Sequence, residues 1–114
     1  MAVDTPIINE ELVEKTKKVM PDSTLIYSAS DFFKIFGDST RLQILIALES
    51  SPMCVGDLCN VIDITKSAAS HQLNILKANK IVKYKKQVKN VIYSLDDDHV
   101  SLIIDMAFAH LGEK

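Results

Sequence analysis

The sequence lacks tryptophan and is poor in glycine, proline and cysteine, with three, three and two residues respectively. It therefore contains no glycine- or proline-rich linker and no low-complexity tract. No apolar run approaches the roughly 20 residues of a membrane-spanning helix. Neither a glycine-rich phosphate loop nor a nucleophile paired with a base is recognisable, which disfavours an enzyme. We expect a non-enzymatic globular protein with no membrane partner.

The chain has 114 residues, 47% of them hydrophobic and 25% charged, which is typical of one globular domain spanning residues 1–114. A helical domain of this size buries a small core and is often completed by dimerisation. The N-terminal segment, with Asp4, Glu10 and Glu11, does not resemble a signal peptide. We expect a cytoplasmic protein whose two cysteines are thiols.

The net charge of −2 conceals a strongly basic segment. The acidic residues gather elsewhere, around residues 10–14 and 96–98. Because phosphate binding depends on local charge and not on its sum, a basic surface on an acidic protein remains compatible with nucleic acid. The basic segment contains Lys77, Lys80, Lys83, Lys85, Lys86 and Lys89.

Three amphipathic helices are predicted in the first half of the chain. The first covers residues 9–20, with Asn9 as its cap, and the second covers about residues 24–36. The third is capped by Asp38 or Ser39 and ends at Leu48. Its residues available to the core are Leu42, Leu45, Ile46 and Ala47.

Two further helices are predicted over residues 55–62 and 66–77, the second capped by Thr65. The inward face of the second helix consists of Ala69, Leu73 and Leu76. Its outer, hydrogen-bonding face consists of Lys66, Ser67, Ser70, His71 and Asn74. Two short helices with a tight connection and a polar outer face on the second are typical of a helix-turn-helix.

The chain then changes to a two-residue period over residues 81–85 and 91–95, with β-branched and aromatic side chains. Residues 86–90 are expected to turn between them, which predicts a hairpin that carries lysines on one strand and at its tip. A last helix is predicted over residues 97–111. Its apolar stripe consists of Val100, Ile103, Ile104, Ala107 and Leu111. The predicted fold is therefore mainly α-helical with a β-hairpin.

The polar helix and the basic hairpin together favour DNA as the partner. A helix in the major groove needs side chains that donate and accept at base edges, whereas lysines contact phosphates. The alternative is an ordinary helical domain with a solvated polar face, but the ordered set of features favours DNA. The candidate DNA-binding residues are Lys66, Ser67, Ser70, His71, Lys83, Lys85, Lys86 and Lys89.

Metal-capable side chains cluster on the last helix, at Asp97, His99, His110 and Glu113. The two histidines share a face but lie about 16 Å apart along it, too far for one ion. Two antiparallel copies would bring Asp97 and His99 of one chain to His110 and Glu113 of the other. From spacing alone, the favoured interpretation is Asp97 as a helix cap, His110 interacting with the helix dipole and Glu113 as a tail residue.

The sequence resembles the ArsR/SmtB family of winged-helix transcriptional repressors over about residues 30–113. The matching segments are DSTRLQILIAL, MCVGDLCNVIDITKSAASHQLNILKANKIVKYKKQVKNVIYSL and DDDHVSLIIDMAFAHLGE. The hairpin tip Gln87-Val88-Lys89 lacks the glycine often found there. The resemblance implies a homodimer with an N-terminal dimerisation arm (1–23), a helix-turn-helix (54–79), a wing (80–95) and a C-terminal dimerisation and metal-sensing helix (97–111).

The same resemblance implies a function and a ligand set. The homodimer would bind double-stranded operator DNA and leave it when an effector binds. Asp97, His99, His110 and Glu113 match all four positions of the family's C-terminal zinc-sensing site. Two nitrogen and two oxygen ligands suit Zn²⁺ and would accept Co²⁺ as a substitute.

Two alternatives remain open. Cys54 and Cys59 match some relatives' thiolate positions only in part, because Gly56 replaces a cysteine. On a helix they would point about 140° apart and not chelate together. They nevertheless allow an arsenite- or thiol-redox-responsive repressor. A metal-buffering dimer without operator binding is the other alternative.

Overall fold

A computed structural model describes residues 4–112 as a mainly helical protein with a small antiparallel sheet, which confirms the predicted fold class. The elements are, in chain order, α1 (Glu10–Val19), α2 (Ser23–Phe36), α3 (Ser39–Ser50), β1 (Met53–Cys54), α4 (Val55–Ile62), α5 (Lys66–Ala78), β2 (Val82–Gln87), β3 (Asn90–Leu95) and α6 (Asp98–Leu111). Within residues 4–112, no helix is both long and apolar enough to cross a membrane.

The chain divides into two compact units, one ending at Asp31 and the other starting at Phe32. The first unit contains α1, which begins as predicted with Asn9 as its cap, since the Asn9 side chain accepts a hydrogen bond from the Leu12 N–H at 2.9 Å. No residue of α1 is buried. The apolar face of α1, including Leu12, Val19 and Met20, is therefore largely exposed in the single chain.

The core of the second unit forms where α3, α4, α5, the sheet and α6 meet. Asp38 caps α3 by accepting from the Arg41 N–H at 2.9 Å. Ile46 was expected in the core but is exposed, whereas Ile44 and Leu48 are buried. The buried cluster consists of Ile35, Ile44, Leu45, Ala47, Leu48, Leu58, Leu73, Leu76, Ile81, Val82, Val100 and Ile104.

The sheet has the strand order β1-β3-β2 and contains one strand that the sequence did not predict. β1 has only two residues, and it pairs Met53 with Tyr93 and Cys54 with Ile92. The predicted hairpin is present, but its strands extend further, because Gln87 pairs with Asn90. The turn is therefore two residues long, and the expected turn over residues 86–90 was too wide.

The packing of α5 allows a direct test of the fold. We expect Leu73→Ala to lower the free energy of unfolding by about 2–5 kcal/mol, because Leu73 is fully buried and its loss leaves a cavity. The measurement is urea unfolding followed by circular dichroism at one fixed protein concentration. Asn74→Ala is the matched control, since Asn74 is exposed on the same helix and should change stability by about 0.5 kcal/mol or less. Equal effects of the two substitutions would contradict this packing.

Candidate nucleic-acid interface and metal centre

Helix α5 is held by one face and leaves the opposite face to solvent. Ala69, Leu73 and Leu76 are fully buried, as predicted. The side chains expected to contact DNA from this helix are all exposed: Lys66, Ser67, Ser70 and His71. The helix therefore presents donors and acceptors on a rigid support, which is the arrangement that reading base edges requires.

The connection between α4 and α5 sets the direction of that face. Asp63 ends α4 in the left-handed conformation (φ 55°), which turns the chain sharply. Thr65 then caps α5, as predicted, by accepting from the Ala68 N–H at 3.0 Å. Two helices joined by a three-residue capped turn form the helix-turn-helix that the sequence indicated.

The hairpin β2–β3 carries the predicted lysines at its surface, where Lys83, Lys85, Lys86 and Lys89 are all exposed. Because side chains alternate along a strand, Lys83 and Lys85 share one face of β2 and Lys86 lies on the other. The hairpin is attached to α5 by a contact that the sequence analysis missed. The Lys77 ammonium lies 4.7 Å from the centre of the Tyr84 ring, a cation–π geometry.

A polar pocket of about 440 Å³ lies where α4 begins, beside α5 and the tip of the hairpin. Lys66 and Ser70 line it from α5, Lys89 lines it from the hairpin turn, and Cys54 lines it from the end of β1. The pocket brings Lys66 and Ser70 of α5 and Lys89 of the hairpin, which represent both groups of predicted DNA-binding residues, to one polar surface. That surface is the candidate nucleic-acid interface.

Arg41 is a further residue that the sequence analysis missed. Its guanidinium donates from Nε to the Ile35 carbonyl at 3.0 Å and from Nη1 to Gln72 Oε1 at 3.1 Å. Gln72 is half-buried on α5. Such a contact has no sequence signal, because the two residues lie 31 positions apart.

The candidate metal ligands lie at opposite ends of α6. Asp97 and His99 form a pair at its start, with 3.3 Å between Asp97 Oδ1 and His99 Nδ1. His110 is exposed in the last turn, and Glu113 lies outside the described residues. Since His99 and His110 belong to one continuous helix, the separation of about 16 Å expected from the helical rise applies. One chain cannot bring both histidines to one ion.

Asp97 also caps α6, because its carboxylate accepts from the His99 N–H at 2.9 Å. The hydrogen bond to the His99 side chain, together with that backbone hydrogen bond, holds the pKa of Asp97 below its ordinary value. The carboxylate is thus ionised near neutral pH, as a metal ligand must be. Capping and metal binding are compatible, since a carboxylate has two oxygens.

Within residues 4–112 of the single chain, no three histidine, cysteine or acidic side chains come close enough to hold an ion. The fit to a metal is therefore partial: the Asp97–His99 pair supplies one oxygen and one nitrogen on an exposed surface, and the remaining ligands must come from elsewhere. His99 is 84% exposed and Asp97 52%, so both are accessible to a second molecule.

The structure corrects the premise used for the cysteines. Cys54 does not belong to a helix, because it ends β1 and precedes α4 as its N-cap. The helical angle of 140° between Cys54 and Cys59 therefore does not apply. Both residues are free thiols of intermediate burial.

Comparison with known proteins supports the same interpretation. Residues 38–84 match the family model described as bacterial regulatory protein, arsR family. A transcriptional repressor SmtB homolog from Synechocystis sp. is 35% identical, over 97% of this chain and 88% of that protein. A cadmium resistance transcriptional regulatory protein CadC homolog from Staphylococcus aureus is 37% identical, over 93% of this chain and 88% of that protein.

Among solved structures, the homodimeric winged helix-turn-helix DNA-binding domain Mb0332 from Mycobacterium bovis has the same fold. It superposes with a TM-score of 0.74 at 20% identity, over 83% of this chain and 90% of that domain. The fold is thus a winged helix-turn-helix, as expected, with the β2–β3 hairpin as its wing. The relatives are regulators and not enzymes, which confirms the expectation of a non-enzymatic protein. Because the SmtB and CadC homologs are 35% and 37% identical to this chain over most of both chains, the protein belongs to the arsR family of bacterial regulatory proteins.

Proposed function

We propose that the protein is a metal-responsive transcriptional repressor that binds operator DNA as a homodimer and is released by Zn²⁺ held between two C-terminal helices. The observation that carries this proposal is the division of the ligands. One end of α6 presents the Asp97–His99 pair and the other end presents His110, on a chain that also carries the candidate nucleic-acid interface.

The DNA-binding half of the proposal rests on the interface described above. Ser67, Ser70 and His71 are exposed on α5 and are suited to base edges. The wing lysines are suited to phosphates, where they set register and contribute most of the salt dependence. Two such interfaces in a homodimer would meet half-sites about one DNA turn, or roughly 34 Å, apart.

Dimerisation is supported by apolar surface that the single chain leaves uncovered. On α6, Leu102 and Met106 lie one turn apart and are 61% and 70% exposed, and Leu111 is 70% exposed. The apolar face of α1 is likewise exposed. Exposed apolar residues grouped along helices are characteristic of surfaces that pair with another molecule. The family relationship favours a second copy of this chain as that molecule.

Antiparallel pairing of two α6 helices would place the Asp97–His99 pair of one chain beside His110 and Glu113 of the other. This gives two equivalent sites, each with two imidazoles and two carboxylates, and a bound metal would supply a bridge between the chains. The residues fit Zn²⁺ and Co²⁺ by donor chemistry. The relative named as a cadmium resistance transcriptional regulatory protein supports a metal as the signal.

Release from DNA would result from thermodynamic linkage between metal binding and the geometry of the dimer. A ligand shifts a protein between two dimer geometries only by its differential affinity for them, and couplings of about 1–3 kcal/mol are typical. The metal-free geometry would suit the operator, and the metal-bridged geometry would suit it less. By reciprocity, operator DNA must weaken zinc binding by the same factor.

The DNA-binding half is tested first, with a duplex selected by the protein from a random-sequence library and with an unselected duplex. We expect Lys85→Met plus Lys86→Met to weaken binding to both duplexes similarly and to lower the slope of log K against log [salt] by about 1 or more. Fluorescence anisotropy at several salt concentrations measures this. Lys18→Met, which removes one positive charge from α1, is the control. It should leave the slope of log K against log [salt] unchanged. Salt-independent or absent binding to every duplex would favour the metal-buffering alternative.

The metal half is tested by mixing subunits. His99→Ala and His110→Ala homodimers should each lose Co²⁺ binding, because every site takes one histidine from each chain. Heterodimers of the two variants regain one intact site, so random exchange should restore about one quarter of the wild-type Co²⁺ per chain. The visible Co²⁺ spectrum reports the bound metal and its tetrahedral geometry. A mixture that binds no more metal than either homodimer would refute a site shared between the chains.

The thiol alternative is favoured by one observation, the position of Cys54 in the pocket between α5 and the wing. If zinc at α6 is the signal, Cys54→Ser plus Cys59→Ser should still release the selected duplex on Zn²⁺ addition, whereas His99→Ala plus His110→Ala should not. Fluorescence anisotropy with and without Zn²⁺ measures both. The opposite pattern, with release by arsenite or oxidant lost in the cysteine variant, would establish the thiol-responsive repressor instead.

A further inference from the structure

Arg41 occupies the third position of α3, where the capped turn fixes its backbone. Asp38 accepts the Arg41 N–H at 2.9 Å, and the side chain extends back across the end of α2. We define the α2–α3 corner as residues 35–42, the last turn of α2, the connection and the first turn of α3. The Arg41 guanidinium lies within this corner and is partly buried.

The Arg41 guanidinium donates hydrogen bonds to two acceptors that belong to different helices. The Ile35 carbonyl belongs to the last turn of α2, where carbonyls have no partner within the helix. Gln72 Oε1 belongs to α5, the recognition helix. A planar guanidinium with several fixed donors satisfies both at once, whereas a lysine ammonium is a single point charge on a flexible stem.

Gln72 lies on the boundary between the two faces of α5. Leu73 and Ala69 beside it are fully buried, while Ser70 and His71 are exposed. The hydrogen bond from Arg41 uses the acceptor oxygen of the Gln72 amide inside the protein. Gln72 is therefore an anchor of the recognition helix rather than one of its base-reading side chains.

The corner also faces, across an apolar pocket, the helix that carries the candidate metal ligands. Phe36 and Leu42, which follow Ile35 and Arg41 in sequence, line this pocket of about 130 Å³ together with residues of α6. Those residues are Ile103, Ile104, Ala107, Phe108 and Leu111. The corner thus borders α6 across the pocket on one side and is hydrogen-bonded to α5 on the other.

From this arrangement we infer that Arg41 is a positioning residue: its guanidinium fixes the recognition helix to the α2–α3 corner, and it thereby passes changes in the packing of α6 to the DNA-binding surface. The second part rests on the proposed function, because it requires a signal at α6. The first part does not, since it concerns only the metal-free protein and its affinity for DNA.

A double-mutant cycle tests the first part. Arg41→Met and Gln72→Met should each weaken binding of metal-free protein to the selected duplex about tenfold, and the double variant should be no weaker than either single variant. All measurements are made well below the unfolding temperature of each variant. Additive losses would mean that Gln72 contacts DNA itself. Reduced stability with unchanged affinity would mean that Arg41 serves the fold alone. Either result overturns the inference.

Arg41→Lys keeps the positive charge but removes the planar guanidinium, so it distinguishes the effect of the two hydrogen bonds from the effect of the charge. If the forked hydrogen bonds matter, Arg41→Lys should lose most of the affinity that Arg41→Met loses, and neither should change the salt slope. If Arg41 instead contacts a phosphate, the lysine should restore affinity and the methionine should lower the slope by about 1. That second pattern would contradict a positioning role.

The zinc response tests the second part. In Arg41→Met the Co²⁺ spectrum should be unchanged, while the ratio of affinities for the selected duplex without and with Zn²⁺ should fall towards one. A variant that keeps the full wild-type ratio would overturn the transmission through Arg41. If wild-type protein is not released by Zn²⁺, the proposed function fails, and the double-mutant cycle still decides the role of Arg41 in metal-free binding.

Discussion

The burial of one face of α5 is the constraint on which the rest of the structure depends. Leu73 and Leu76 enter the shared core with Leu58 of α4 and Val82 of β2. Because that face cannot leave the core without losing several kcal/mol, the opposite face must point to solvent. The same burial fixes the wing beside the recognition helix, since β2 begins within the core. The exposed polar face of α5, which forms part of the candidate nucleic-acid interface, is therefore a consequence of burying its apolar face.

Two polar contacts then refine the position of α5, one at each side. The Lys77–Tyr84 contact connects it to the wing, and the Arg41–Gln72 hydrogen bond connects it to the α2–α3 corner. Apolar packing tolerates small shifts, whereas a hydrogen-bonded guanidinium has a narrow range of distance and angle. Contacts of this kind are suited to holding a helix at a defined position and to changing that position when a neighbour moves.

The candidate metal ligands illustrate a different constraint, the length of a helix. The rise of α6 separates His99 from His110 by more than any single ion can span. An isolated chain therefore cannot place both histidines on one ion, and the proposed site, which needs two chains, would respond to their relative arrangement. This is the physical reason to connect metal binding with dimer geometry, and dimer geometry with the spacing of two recognition helices.

Much of the fold and of the candidate interface could be predicted from the sequence. Local patterns are enough for the helix α4, the cap at Thr65 and the buried face of α5, because periodicity and capping act over a few residues. They are also enough for the alternation of side chains in the hairpin. The predicted turn at the hairpin tip was too wide, and the prediction that Ile46 lies in the core was wrong. Residue type singled out Asp97 and His99 as candidate ligands, and their role as ligands stays a prediction.

The tertiary structure alone decided the contacts between residues far apart in the chain. The two-residue strand at Met53 is too short for any periodicity and exists only because Tyr93 and Ile92 lie beside it. For the same reason Cys54 belongs to β1 and not to a helix. The partnership of Arg41 with Gln72 has no local signal either. Composition and periodicity along the chain specify which faces are apolar, polar or basic. The fold determines which of those faces meet, because packing joins segments whose order along the chain does not record their distance in space.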